Sequence, residues 1–385
     1  MLIHPVERFV RRKECSDEDS VLNKKCAPSL PRTEHPYEDE FLHSLHLCRA
    51  IAIVLIVAGH SYWLAGLKVD TFAERWVANL IFGETAMFVF ISGFLFHHIF
   101  LPKFDYLRFM KGKTKTILIP YLLLSCLAIS LLLLVRPEIR DNLVSSKDAI
   151  LWKVYLFFYL QQLSTGTFLF GYWYIPFIMV TFLMAPLHKC FARLRPNLQW
   201  SILLLLLVIS SFIHRPIQKL FVLHSVIYYL PFYLFGIVCS QRKETIWSLC
   251  GGREFFIATP FLVLAAYQAW HSNTFGNYQD DTLSMTIDLN LWQKIFLCLF
   301  FMVFLHRFER SRSPLLDLIA SSSFAIFFLH PFVMQLFKRL DYVLSVPDGY
   351  LTYTILVSLI IIISVAIGYA AKQLLGSKSR FLIGW

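Results

Sequence analysis

Long apolar blocks run through most of the chain, and many approach the length that a helix needs to cross a bilayer. Of the 385 residues, 57% are hydrophobic and only 16% are charged. A soluble domain carries about 25% charged residues, and a helical span needs about 20 apolar ones. The pattern predicts an all-α, polytopic bundle of transmembrane helices. It excludes an ordinary soluble enzyme, a disordered chain and a disulfide-rich secreted module.

The apolar blocks divide the chain into a predicted transmembrane domain, residues 46–373, between two polar ends. Residues 1–45 are expected to form a flexible cytoplasmic tail, and residues 374–385 a short cytoplasmic tail. The first segment has no apolar core, so it is not a signal peptide. About ten spans are expected, at 46–66, 79–101, 114–135, 170–190, 199–213, 226–240, 255–270, 289–306, 317–337 and 351–373.

The distribution of Lys and Arg predicts that both termini lie in the cytoplasm. These residues are denser in the loops that ten spans place inside, as the positive-inside rule requires. The apolar stretch 151–163 is too short to cross and is expected to lie at the interface or to re-enter. Counting it as an eleventh span would place Arg307, Arg310 and Arg312 outside, so ten spans are preferred.

Charge and cysteine content narrow the function further. The net charge of +11 is explained by the basic residues that orient the chain in the membrane. The sequence has no basic patch interleaved with aromatic residues, so nucleic-acid binding is not expected. The eight cysteines form no CxxC pair, so no metal is expected. The oligomeric state is left open by the sequence.

Two ionisable residues in the first span are the main candidates for a functional site. Arg49 and His60 are eleven residues apart, which is about 20° from three full helical turns, so they share one helix face about 16 Å apart. An arginine near the cytoplasmic end suits an anionic cofactor, and a deeper imidazole suits proton transfer. Structurally, Arg49 could instead reach lipid headgroups and His60 could bond a neighbouring helix.

Further candidates lie in later spans. Glu84 is placed to pair with His60 and set its basicity, unless it faces water at the interface. The Ser92-Gly93 pair is expected to serve close helix packing. His330 is a candidate substrate-binding residue, unless its role is purely structural, and it precedes Pro331, which should kink its helix. The lysines before the third span could hold phosphates or merely set topology, namely Lys111, Lys113 and Lys115. The aromatic residues Tyr172 and Trp173 could stack on a sugar or form an interface belt.

Taken together and in order, these segments resemble the membrane-bound acyltransferase-3 family, over most of residues 43–373. The matching features are Arg49-x10-His60, the stretch 90–94 (FISGF), a basic stretch before Pro120-Tyr121, Trp173-Tyr174 before Pro186, and Ser323 before His330-Pro331. Two positions depart from the common pattern. Lysines occupy the place of arginines before Pro120, and Phe327 occupies the place of a tyrosine.

The resemblance implies an integral-membrane acyltransferase that moves an acyl group, commonly acetyl, from acyl-CoA to a glycan. His60 would be the essential histidine and Arg49 the essential arginine, and the lysines would help hold the CoA phosphates. The acceptor is expected to be an envelope glycan or a lipid-linked saccharide, and the location a bacterial inner membrane. His60 would deprotonate the acceptor hydroxyl or first carry the acyl group itself. The alternative is a transporter or flippase for a lipid-linked saccharide.

Overall fold

Nearly all of the described chain is helical in the computed structural model. The structure describes residues 42–144, 151–216, 222–271, 276, 278–279, 283, 285–344 and 347–385. The first helix begins at His43, and the predicted tail up to residue 41 lies outside the described residues. The helices of the first half are α1 (His43–Ser61), α2 (Phe72–Ile81), α3 (Thr85–Leu95), α4 (Tyr106–Lys113), α5 (Ile119–Val135), α6 (Pro137–Val144), α7 (Leu151–Thr165), α8 (Tyr174–Leu183) and α9 (Ala185–Ala192).

The second half continues the same architecture. Its helices are α10 (Pro196–Phe212), α11 (Val222–Gln241), α12 (Lys243–Cys250), α13 (Glu254–His271), α14 (Leu289–His306), α15 (Pro314–Ser321), α16 (Ser323–Leu344), α17 (Tyr350–Leu375) and α18 (Ser379–Leu382). Two short parallel strands, β1 (Arg215–Pro216) and β2 (Tyr278–Gln279), pair between the ends of these helices. π-Helical turns, Phe96–Phe100 and Thr114–Leu118, follow α3 and precede α5.

Six helical stretches in the described residues are long and apolar enough to cross a membrane, or up to nine if each of three bent pairs is one span. The bent pairs are α8 with α9 (58°), α12 with α13 (91°) and α15 with α16 (75°). The predicted helical membrane fold is therefore confirmed. The predicted fifth span is a 17-residue apolar helix, α10, and the stretch predicted to be too short is the 15-residue α7. The count of ten and the orientation of the termini stay predictions.

The first helix lies at the centre of the bundle. Fifteen of its 19 residues are buried, and it packs against α2, α3, α14, α15, α16 and α17. In contrast, only 22% of the most apolar window of the last span is buried inside the protein. Because α1 is surrounded by protein, its polar side chains face other helices and not lipid. That placement satisfies the requirement that intramembrane charges be shielded.

Glycines allow a close crossing of α3 and α11. A Cβ on Gly93 would lie 1.9 Å from the backbone oxygen of Tyr233, and a Cβ on Gly236 would lie 2.1 Å from that of Phe90. Only hydrogen fits at either position, so the two backbones touch directly. This contact explains the Ser92-Gly93 pair as a packing feature, as the sequence predicts for small residues in membrane helices.

Candidate active site

Two histidines from distant parts of the sequence meet at one point in the bundle. His60 lies near the end of α1, and His330 lies in α16 directly before Pro331. The Nδ1 atom of His60 is 3.0 Å from Nε2 of His330, and the ring planes differ by 14°. The Nδ1 atom of His330 lies 2.9 Å from the backbone oxygen of Ile326. The three groups form a hydrogen-bonded chain from backbone to His60.

The carbonyl at the end of this chain determines where the protons lie in the neutral pair. A carbonyl oxygen only accepts, so Nδ1 of His330 carries a hydrogen and donates it to Ile326. Nε2 of His330 then accepts from Nδ1 of His60. The remaining nitrogen, Nε2 of His60, keeps its lone pair. This arrangement leaves His60 with one basic nitrogen whose hydrogen-bond capacity is not used by His330.

His60 lies at the wall of a small pocket. The lining includes His60, Thr85, Phe88, Gly171, Trp173 and Tyr174. The wall is therefore mostly aromatic, with a few polar groups. The pocket brings together the first span, the start of α3 and the turn before α8.

A glycine makes room for the His60 ring. Gly171 has φ +78°, and a Cβ there would lie 3.0 Å from Cε1 of His60 and 3.8 Å from Cε1 of His330. The left-handed backbone and the short approach both favour glycine. The turn containing Gly171 therefore packs closely against the imidazole, and only a hydrogen atom fits at this position.

The predicted pairing of Glu84 with His60 is not found. Its carboxylate makes no hydrogen bond to the His60 ring, and both are described residues. It packs instead against Gly59, where an added Cβ would lie 3.3 Å from either carboxylate oxygen. The acid is buried, at 5% exposure, and interacts electrostatically with Lys294. His330, which was predicted only as a substrate-binding residue, is the hydrogen-bond partner of His60.

Lys294 is a buried cation near Glu84 and the end of α2. It is 1% exposed, and its Nζ donates to the backbone oxygens of Asn79 at 3.0 Å and Leu80 at 3.1 Å. These carbonyls belong to the last turn of α2, where a cation is favoured by the helix dipole. The lysine therefore secures the end of α2 and places a positive charge near Glu84. The sequence shows Lys294 inside an apolar span, and this was a signal that our sequence reading missed.

Arg49 is bound to the corner between α15 and α16. One guanidinium nitrogen, Nη2, donates to the backbone oxygen of Ala320 at 3.1 Å and to Oγ of Ser323 at 2.7 Å. Arg49 is 6% exposed. Both Arg49 and His60 thus contact the same neighbouring segment, α15–α16, in agreement with the shared helix face predicted from their spacing. The other guanidinium N–H groups make no hydrogen bond with the residues that the structure describes.

The three predicted lysines differ in their surroundings. Lys113 is half-buried, with its Nζ 4.6 Å from the ring centres of Phe100 and Phe182, and its charge interacts with that of Arg49. Lys115 is exposed and lies 4.6 Å over the Phe381 ring, and Lys111 is also exposed. Only Lys113 is therefore brought toward Arg49 by the fold.

The two predicted aromatic residues also differ in their surroundings. Tyr172 is fully buried and donates its hydroxyl to the backbone oxygen of Phe328 at 2.9 Å, so it joins the turn before α8 to α16. Trp173 lines the pocket, and the guanidinium of Arg215 lies 4.0 Å from its ring centre. Arg215 also interacts electrostatically with His60 and Glu84. Arg215 lies in a stretch predicted to be a loop, where a basic residue has no distinguishing pattern, and it begins β1 in the structure.

The comparison with protein families identifies the domain that contains these residues. The model of the acyltransferase-3 family, described as an acyltransferase domain, matches residues 42–371. This range includes the whole His60–His330 pair, the Arg49 contacts and the pocket. Neither the search of curated proteins nor the search of solved structures gave a match. The match covers most of the chain, and the chain belongs to the acyltransferase-3 family of membrane acyltransferases.

Proposed function

We propose that the protein transfers an acyl group, most simply acetyl, from cytoplasmic acyl-CoA to a hydroxyl of an envelope glycan or a lipid-linked saccharide. The observation that carries this proposal is the His60–His330 hydrogen bond, which leaves Nε2 of His60 as a base at a pocket. His60 is the proposed general base, and His330 positions it. A bacterial inner membrane is the proposed location.

Arg49 and Lys113 are the proposed binding groups for the anionic part of the donor. The positive charges of Arg49 and Lys113 repel each other, and an anion bound between them would relieve that repulsion. Arg49 keeps guanidinium N–H groups that no described residue uses, and arginine binds phosphate oxygens in a forked geometry. The rise of α1 separates Arg49 from His60 by about 16 Å. An extended acyl-CoA could span this distance with its phosphates at Arg49 and its thioester at His60.

The chemistry is a single acyl transfer. Nε2 of His60 takes the proton of the acceptor hydroxyl as its oxygen bonds to the thioester carbon. The carbon–sulfur bond then breaks, and the departing CoA thiolate takes the proton from His60. No oxidant, reductant or further group is needed. His330 supports the step because its Nε2 accepts the Nδ1 hydrogen of His60 and so stabilises the imidazolium.

Trp173 is the proposed sugar contact. Its ring lines the pocket and is held by stacking against Phe177 and Tyr229, with centroids 6.0 Å and 5.9 Å away. A fixed indole face suits the apolar face of a sugar ring. Tyr172 is not proposed to touch the acceptor, because its hydroxyl donates to the backbone oxygen of Phe328 and its side chain is fully buried in protein.

The first experiment supplies labelled acetyl-CoA to membranes that contain the wild-type protein or a variant at matched levels, and follows label into glycan and lipid fractions. We expect His60→Ala to lower the rate by about 100-fold to 10,000-fold, the usual contribution of a general base. His330→Gln keeps an acceptor for Nδ1 of His60 and should retain more activity than His330→Leu.

The matched control is His188→Ala. His188 is another buried imidazole, with its ring centre 4.4 Å from that of Tyr233, and it has no part in the proposed chemistry. This variant should transfer label like the wild type. Equal transfer by wild type and His60→Ala would remove His60 from the chemistry. Absence of label with the wild type, after other acyl-CoAs and a competent acceptor are supplied, would overturn the acyl-transfer proposal in favour of transport.

A further inference from the structure

Acyl transfer places negative charge on the former carbonyl oxygen of the thioester, and an enzyme must stabilise it. The pocket lining contains three hydrogen-bond donors besides His60, namely Thr85, Trp173 and Tyr174. Arg49 is committed to the α15–α16 corner about 16 Å away along α1, so it cannot serve at the same point. The oxyanion donor is therefore sought among these three side chains.

Thr85 differs from the other two in lying outside the aromatic cluster at the pocket. It is 7% exposed, lines the pocket, and its hydroxyl makes no hydrogen bond with any residue that the structure describes. Because this hydroxyl has no partner in the described part of the protein, it is available to donate to a ligand oxygen in the pocket. Trp173 and Tyr174, by comparison, belong to an aromatic cluster with Phe177.

The position of Thr85 in its helix adds a second, independent contribution. It is the first residue of the 11-residue helix α3, so the positive end of the helix dipole lies at the pocket. The neighbouring acid, Glu84, does not line the pocket, and its negative charge is opposed by a buried cation. Its carboxylate lies against Gly59 and interacts with the buried Lys294.

We infer that the Thr85 hydroxyl, at the N-terminal end of α3, donates the hydrogen bond that stabilises the oxyanion of the acyl-transfer step. This inference rests on the proposed function. As the acceptor oxygen bonds to the thioester carbon, the carbon–oxygen double bond becomes single and its electron pair moves to oxygen. Thr85 donates to that oxygen without losing its proton. When the carbon–sulfur bond breaks, the double bond forms again and the interaction weakens.

The test compares Thr85→Val, which removes the hydroxyl at nearly constant volume, with Thr85→Ser, which keeps it. Initial rates are measured against acyl-CoA concentration in detergent-purified protein or in membranes. We expect Thr85→Val to lower kcat by about 100-fold to 1,000-fold, as for other oxyanion donors, with little change in KM for acyl-CoA. Thr85→Ser should recover most of the rate.

Two further variants keep the result interpretable. Thr181→Val removes a buried hydroxyl that bonds only within its own helix, to Phe177 at 3.1 Å, and should leave kcat unchanged. Tyr174→Phe tests the rival donor. Wild-type kcat in Thr85→Val, or loss of kcat in Tyr174→Phe with Thr85→Val intact, would overturn the inference while acyl transfer itself stands. No transfer by the wild type would instead refute the proposed function.

Discussion

The His60 ring is held by contacts from separate parts of the chain. His330 in α16 accepts its Nδ1 hydrogen, Gly171 lies beside its Cε1 atom, and Phe170 has its ring centre 6.1 Å away. A base is effective only in the correct position, because small displacements of reacting groups cost rate steeply. Contacts that hold the ring should therefore affect rate more than they affect stability.

Gly171 provides the sharpest test of this positioning. In Gly171→Ala, the new Cβ would lie 3.0 Å from Cε1 of His60 and would push the ring from its place beside His330. The ring must yield by a few tenths of an ångström. A shift of about 1 Å can cost about 100-fold in rate, so we expect a smaller but measurable loss of kcat. Initial rates and melting temperatures of the purified variant provide the two measurements.

Gly252→Ala is the matched control for Gly171→Ala. Gly252 has φ +77°, almost the value of Gly171, but no atom lies within 4 Å of an added Cβ. Both variants carry the strain of a left-handed alanine, about 1 kcal/mol, and should lose similar stability. Only Gly171→Ala should lose kcat. Equal kcat in the two variants would show that the close approach to His60 has no role in catalysis.

Among the helices, hydropathy predicts what lies in the membrane but not which helices touch. The apolar blocks and the eleven-residue spacing of Arg49 and His60 are local properties, so the spans and the shared face could be read from sequence. The partner of His60 could not, because His330 is 270 residues away and Glu84 only 24. The packing of α16 against α1 brings His330 to His60, and no periodic pattern in the sequence encodes that contact.

The α3–α11 crossing links this packing to the site, because α3 carries Thr85 at its start. We expect Gly93→Ala to destabilise the protein by at least the roughly 1–3 kcal/mol typical of overpacking, since its Cβ would lie 1.9 Å from the Tyr233 backbone oxygen. Thermal unfolding in detergent measures the effect. Gly112→Ala in α4, where an added Cβ meets nothing within 4 Å, should instead be neutral or stabilising. An unchanged melting temperature for Gly93→Ala would refute the direct backbone contact.

For the whole molecule, the distribution of charge bears on the direction of the reaction. Basic residues dominate the loops predicted to be cytoplasmic, and Arg49 lies toward the same end of α1. His60 lies toward the other end. If the termini are inside, acyl-CoA enters from the cytoplasm and the thioester reaches a base in the outer half of the bundle. The orientation therefore determines which side of the membrane supplies the donor.

Cysteine labelling tests this orientation. In a background with the eight native cysteines replaced and activity retained, single cysteines are introduced at Asp141 and at Arg310, both exposed positions. Asp141 lies in a segment predicted outside and Arg310 in a loop predicted inside, because Arg307 and Arg312 flank it. A membrane-impermeant thiol reagent should label Asp141→Cys in intact cells and Arg310→Cys only after permeabilisation. The reverse pattern would place the Arg49 end of α1 outside, where cytoplasmic acyl-CoA could not reach it, and the proposed direction of transfer would fail.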